Sequence, residues 1–359
     1  MQRLFFILVG IISLSLFSLN LYAQTSTANP AEEVFGKNFK LEVDETSGTL
    51  KYNFSEKTNA LDSIEAVMNV HLVSDKLELL CDELYYDAKA QKINAKGKQV
   101  KIIQGMMTAI CAQFLFDNQT GRSEFIGSPE ITIQDEQGHK TTTKGDKITI
   151  ERQKNGDTLI QVHGNAKLTS DAGSKSTPQM SQATAPAQKM FGREFKIVTG
   201  EKGEILYAFT SENELRSIVA RENVFIDSSQ VNLRCERLEY YSEKNNLLAL
   251  GKPVKIIQNT VTAEAGRFEF FPDEGKSFLL ENPVIMNKDE QGRVLETRGD
   301  KIVIVQAAEG KTTVLVDGNP SIQSAQVEKP KVVKPPKQTA SPVNESSVDI
   351  IKNVDIKQE

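Results

Sequence analysis

The chain has 359 residues, with 43 lysines and arginines against 48 aspartates and glutamates, 39% hydrophobic residues, no tryptophan and three cysteines. A net charge of -5 leaves no broad basic footprint and argues against a nucleic-acid partner. The length is enough for two domains, and one apolar stretch at the N-terminus excludes a polytopic membrane protein.

That stretch comes first in the chain. Arg3 precedes an uncharged run from Leu4 to Ala23, and Leu21-Tyr22-Ala23 places a small residue before a cut ahead of Gln24. Residues 1–23 are expected to be a cleaved signal peptide, with an uncleaved anchor as the alternative, and the mature chain is expected in the periplasm. No cysteine precedes Cys81, which excludes lipid attachment at the cleavage site. Three cysteines over this length do not make a disulfide framework.

The rest of the chain is duplicated. Phe35-Gly36-Lys37-Asn38-Phe39-Lys40 returns as Phe191-Gly192-Arg193-Glu194-Phe195-Lys196, and Lys101-Ile102-Ile103-Gln104 as Lys255-Ile256-Ile257-Gln258. Gly145-Asp146-Lys147-Ile148 returns as Gly299-Asp300-Lys301-Ile302, at the 154-residue offset that also separates Cys81 from Cys235. The expected organisation is a first β domain over 34–170, a linker over 171–189 rich in Ser, Thr, Ala, Gln and Pro, and a second β domain over 190–325. A Lys/Pro-rich tail over 326–359 cannot supply a core and is expected to be disordered.

Inside each copy one eight-residue pattern recurs, with apolar or small residues at positions one, three, six and eight. In chain order it reads Leu79, Cys81, Leu84, Tyr86; Ala109, Cys111, Phe114, Phe116; and Thr143, Gly145, Ile148, Ile150. Copy two gives Leu233, Cys235, Leu238, Tyr240; Ala263, Ala265, Phe268, Phe270; and Thr297, Gly299, Ile302, Ile304. This is strand alternation with a single slip, which puts all four residues on one face if the strand bulges in the middle. The third position is always Cys, Gly or Ala, which lets the chain bend tightly there. Turn residues such as Gly97-Lys98, Gly127-Ser128-Pro129 and Gly164-Asn165 lead into further alternating strands. No segment beyond the signal sustains a helical period, so the expected class is all-β: two tandem β-jelly-roll or β-roll domains of stacked short antiparallel strands. Roughly four layers per copy would make the pair about 40 Å long, with terminal edges open to head-to-tail stacking.

These residues resemble the OstA/LptA-like family of periplasmic lipopolysaccharide-transport proteins. The resemblance rests on Asn69-Val70, on the strand Leu79-Leu80-Cys81-Asp82-Glu83-Leu84-Tyr85-Tyr86-Asp87 and on Asn94-Ala95-Lys96-Gly97, with their equivalents in copy two. It implies a non-enzymatic carrier that holds the acyl part of lipopolysaccharide, or a similar acyl glycolipid, inside a β-trough. It also implies β-edge stacking onto inner- and outer-membrane transport proteins and onto further copies of the same chain. The chain departs from the family in having two units where the bridge protein has one, and in having cysteines where the family often has alanine. It is too short to contain the barrel of the outer-membrane member.

The apolar interior expected to meet lipid is Leu79, Leu84, Tyr86, Ala109, Phe114, Phe116, Ile148 and Ile150 in copy one. In copy two it is Leu233, Leu238, Tyr240, Phe268, Phe270, Ile302 and Ile304. Hiding one methylene from water is worth about 0.8 kcal/mol, or about 10 kcal/mol for a chain of about twelve carbons. The same residues could equally fill a closed core, which would make the protein an envelope scaffold or adaptor acting through its strand edges. Catalytic chemistry finds no support: His71, His139 and His163 lack metal-ligand spacing, no nucleophile elbow or phosphate loop occurs, and the Asp135 and Asp289 turns lack the ligand count of a calcium site. No cofactor is expected, and no acid–base pair supports an envelope hydrolase. Cys81 and Cys111 share a template position in successive units, which leaves a disulfide or two buried free thiols open.

Overall fold

Alternation at period two, interrupted every few residues by Gly, Asn or Pro, produces strands from end to end. The computed structural model describes residues 34–36, 38–56, 60–134, 138, 140–171, 194–211, 215–228, 232–258, 260–289, 291–306 and 312–326. The expected signal peptide, the linker from 172 onward and the tail beyond 326 lie outside these residues, as do Asp135 and His139.

Copy one contains β1 (Phe39–Glu42), β2 (Thr49–Phe54), β3 (Leu61–Ser74), β4 (Glu78–Asp87), β5 (Lys92–Gln104) and β6 (Met107–Asp117). It continues with β7 (Arg122–Ile126), β8 (Glu130–Gln134), β9 (Lys140–Lys144), β10 (Lys147–Arg152), β11 (Thr158–His163) and β12 (Lys167–Asp171). Copy two repeats the series as β13 (Phe195–Val198), β14 (Glu204–Phe209), β15 (Leu215–Ser228), β16 (Asn232–Tyr241), β17 (Asn246–Gln258) and β18 (Val261–Phe271). Its remaining strands are β19 (Lys276–Leu280), β20 (Val284–Lys288), β21 (Arg293–Arg298), β22 (Lys301–Gln306), β23 (Thr312–Asp317) and β24 (Ser321–Gln326). All belong to one hydrogen-bonded antiparallel network.

The network is a folded ribbon of two ladders. The long strands β3 to β6 cross from one ladder to the other, and their pairing slips at the crossing: between Val67 and Val70, Leu80 and Glu83, and Lys96 and Val100. The equivalent slips in copy two fall between Arg221 and Val224, Arg234 and Arg237, and Leu250 and Val254. On β4 the slip is the mid-pattern bulge expected from the sequence, and it keeps Leu79, Cys81, Leu84 and Tyr86 on one buried face; the neighbouring β3 and β5 shift with it. Beyond β6 each crossing becomes a break between two short strands, with left-handed residues at Gly127-Ser128 and Gly164-Asn165. At Gly145 a Cβ would lie 2.6 Å from Val162 Cγ1, and at the matching Gly299 it would lie 2.5 Å from Val316 Cγ1, so the third position of the pattern tolerates nothing larger there.

Each copy thus supplies eight rungs, which in copy one are β1–β2, β3, β4, β5, β6, β7–β8, β9–β10 and β11–β12. The estimate of four layers per copy is corrected, because the turn-led segments between template strands form full rungs of their own. At the spacing of paired strands the two copies run about 70 Å rather than 40 Å.

The ladders continue from one copy into the next. β11 pairs with β14 from Thr158↔Phe209 to His163↔Glu204, and β12 pairs with β13 from Lys167↔Val198 to Ser170↔Phe195. Since β6 and β15 each serve both ladders, β6, β7, β10, β11, β14, β15, β13, β12, β9 and β8 close a ring of ten strands around the middle of the molecule. One apolar cluster runs from Val34 to Val254 through this ring, and a smaller one, of Ala263, Ala265, Leu279, Ile285 and Ile302, occupies the far end of copy two.

Candidate functional site: apolar clefts between the ladders

The bulge or break that folds each rung turns its apolar residues into the space between the ladders. Leu79, Leu84, Tyr86, Ala109, Phe114, Phe116, Ile148 and Ile150 are buried there in copy one, and Leu233, Leu238, Tyr240 and Ile302 in copy two. Phe268, Phe270 and Ile304 line the same interior but are only partly buried.

The interior is not filled completely. A cavity of about 40 Å³ in copy one is lined by Ile102, Gln104, Met107, Phe114, Phe116, Ser123, Phe125 and Ile150, with Val34 and Leu77 alongside. Copy two holds a cavity of about 150 Å³ at the equivalent place, lined by Ile256, Gln258, Val261, Phe268, Phe270, Ser277, Leu279 and Ile304. Every one of these eight positions is the 154-residue partner of its counterpart, so the duplication carries the cleft with it. The Phe114 and Phe116 rings stack at 6.5 Å, and Phe125 tilts against Phe114 at 5.1 Å.

The eight-residue pattern missed five of those eight positions, keeping only Phe114, Phe116 and Ile150 in copy one. Ile102, Gln104, Ser123 and Phe125 sit on β5 and β7, whose rungs do not carry the pattern, although their return at the same offset marks them. Gln104 stands apart, because its Nε2 is buried with no hydrogen-bond partner among the described residues. Such a group is costly to leave unpaired in an apolar wall.

The rest of the interior is chemically quiet. Cys81, Cys111 and Cys235 are buried and free. Cys81 is on β4 and Cys111 on β6, where it pairs with Val100 of the intervening β5, so two strand spacings or about 9.6 Å separate the strands that carry the thiols, which no disulfide spans. Burial pushes the thiols up, to about 12 for Cys81 and Cys235 and about 11 for Cys111, with the Asp82 and Glu236 carboxylates adding to the first two. They are protonated thiols, not nucleophiles.

Polar residues singled out in the sequence are held by neighbours on the outside. His71 Nε2 lies 2.9 Å from Glu78 Oε1, and His163 Nδ1 lies 3.8 Å from Glu204 Oε1. Lys147 pairs with Glu124 at 2.7 Å, Lys255 with Glu264 at 3.2 Å, and Lys301 sits over the Phe278 ring at 5.2 Å. The Asp289 carboxylate accepts from the backbone of Gln291 and Arg293 and pairs with the Arg293 guanidinium, which holds it below the usual range. Among the described residues no group of histidine, cysteine or acidic side chains could hold a metal ion.

No family model and no curated protein matches the chain. Among solved structures it is similar to LptH, described as the LptA homologous periplasmic component of the conserved lipopolysaccharide transport device from Pseudomonas aeruginosa. The identity is 15%, over 28% of this chain and 83% of LptH, with a TM-score of 0.22. A similarity of that size carries no functional weight, and the fold rests on the strand pairing: an all-β ribbon with an apolar interior.

Proposed function

We propose that this chain is a non-enzymatic periplasmic lipid carrier that holds the acyl part of lipopolysaccharide, or of a similar acyl glycolipid, between its two ladders on the way to the outer membrane. The observation that carries the reading is the duplicated apolar cleft, one in each copy at matching residues. Covering each acyl methylene returns about 0.8 kcal/mol, so a trough lined by Phe268, Phe270 and Ile304 can hold a chain out of water with no catalytic group. The sequence resemblance to lipopolysaccharide-transport proteins supplies the substrate class and the compartment.

Partners would join through the strand edges. Among the described residues, β1 and β2 at one end pair only with β3, and at the other end β23 pairs only with β22 and β24 only with β21. Between the copies, β11 and β12 cover β14 and β13, the equivalents of β2 and β1. A further copy of this chain, or a transport protein with the same edge, would cover the free ends in the same way. By the internal register, Val314 of one copy would face Tyr52 of the next, as Ile160 faces Tyr207.

The test is mass spectrometry of lipid extracted from the mature protein purified from its envelope. The carrier reading expects acyl lipid bound in stoichiometric amount. The competing reading, a scaffold with closed cores acting through its edges, is favoured by the small cavity of copy one, and protein free of lipid would establish it.

A further inference from the structure

The two clefts differ in a way that their shared ancestry does not explain. In copy one Phe35 is fully buried, its ring 4.8 Å from Tyr86 in an edge contact and 5.2 Å from Phe39, while Val34 lines the cavity directly. Phe114 and Phe116 behind them are 6% and 7% exposed. In copy two the matching Phe268 and Phe270 are partly exposed, and five lining residues differ from their equivalents: Met107 is replaced by Val261, Phe125 by Leu279, Ile93 by Leu247, Leu72 by Ile226 and Arg152 by Gln306. The changes to Val261, Leu279 and Gln306 remove side-chain volume from the wall, and the cavity is about 150 Å³ against about 40 Å³. The sequence equivalents of Val34-Phe35, Met190-Phe191, lie outside the described residues.

We infer that the two copies are not equivalent lipid sites: copy two takes a single linear acyl chain, while Val34-Phe35 occupies the same groove in copy one and must leave before a chain can enter it. This rests on the carrier reading and narrows it to one half of the molecule. Burial of an aromatic ring and of an acyl chain draw on the same apolar surface, so the two compete for one place.

The absence of tryptophan makes the sites separately readable. Phe116→Trp and Phe270→Trp each place a lone indole in one cleft of the otherwise intact mature chain. A terminally brominated undecanoic acid quenches an indole only at contact, and a lysophospholipid with the same brominated chain separates a free acid from a lipid tail. The expected result is loss of most of the Phe270→Trp emission with either probe, and little change for Phe116→Trp until Phe35→Ala is added. Near-ultraviolet dichroism of each variant checks the fold, and the two single reporters decide the matter even if Phe35→Ala does not fold. Equal quenching of both single reporters, or quenching of Phe116→Trp alone, overturns the inference and leaves the carrier reading standing. Failure of both reporters while a radiolabelled acid still binds also overturns it, and failure of both with no binding at all removes the carrier reading itself.

Discussion

Tyr52 and Tyr207 hold the same place in the two copies, yet Tyr52 is 58% exposed and Tyr207 is 5% exposed. The difference is the neighbour. β14 is covered by β11, and the Tyr207 hydroxyl shares a 2.8 Å hydrogen bond with Thr143 Oγ1 of copy one, whereas β2 has nothing on its outer side among the described residues. Burial pushes the Tyr207 phenol far above its usual range, and the Thr143 contact only partly offsets this. One sequence element therefore behaves as core at the junction and as open edge at the end. An edge strand that keeps Leu50, Tyr52 and Phe54 apolar is suited to being covered.

Truncating the two tyrosines should separate these regions most sharply. Tyr207→Ala should cost about 3–5 kcal/mol, as large buried aromatics do, and Tyr52→Ala within about 0.5 kcal/mol in dilute protein. Urea titrations followed by dichroism read both, and equal losses would break the distinction between junction and edge. Thr143→Val leaves the buried phenol without its partner and should cost about 1–3 kcal/mol, while the matching Thr297→Val should be nearly silent. A smaller effect is expected at the surface of the junction, where Asp157 of copy one meets Arg216 of copy two at 2.5 Å. Asp157→Ala should cost no more than about 1 kcal/mol, and less in high salt.

The smallest effect near neutral pH comes from the thiols. Their values in the folded chain lie above those of free cysteine, so their contribution to stability is complete below about pH 8.5. It is lost as the pH rises toward the folded values of about 11 and 12. Ellman's reagent should find no reactive thiol at pH 8 in the folded protein and three in urea. Rapid labelling of Cys81 or Cys235 in native protein would mean that the interior opens freely.

Much of this was legible in the sequence because a strand's period fixes which face is buried. The pattern at Leu79, Cys81, Leu84 and Tyr86 gave the inward side, and the slip between Cys81 and Leu84 gave the bulge. Which strand pairs with which was not legible. Pairing is non-local, and the alternation at Ile93, Ala95, Val100 and Ile102 does not say that β5 is a rung between two template strands. For the same reason the continuation of the ladder from β11 to β14 could not be read from the residues that join the copies. The burial of Phe35 against Tyr86 is likewise a tertiary contact, carried by a repeated motif whose sequence gives no sign of where its ring goes.

The central claim is that the space between the ladders, and not the outer surface, holds acyl chains. A photo-crosslinking benzophenone amino acid placed at Phe270 and, separately, at the outward-facing neighbour Tyr241 tests it directly in the envelope. A lipid adduct at position 270 with none at 241 is the predicted result; adducts at both in equal yield, or at neither, would contradict it.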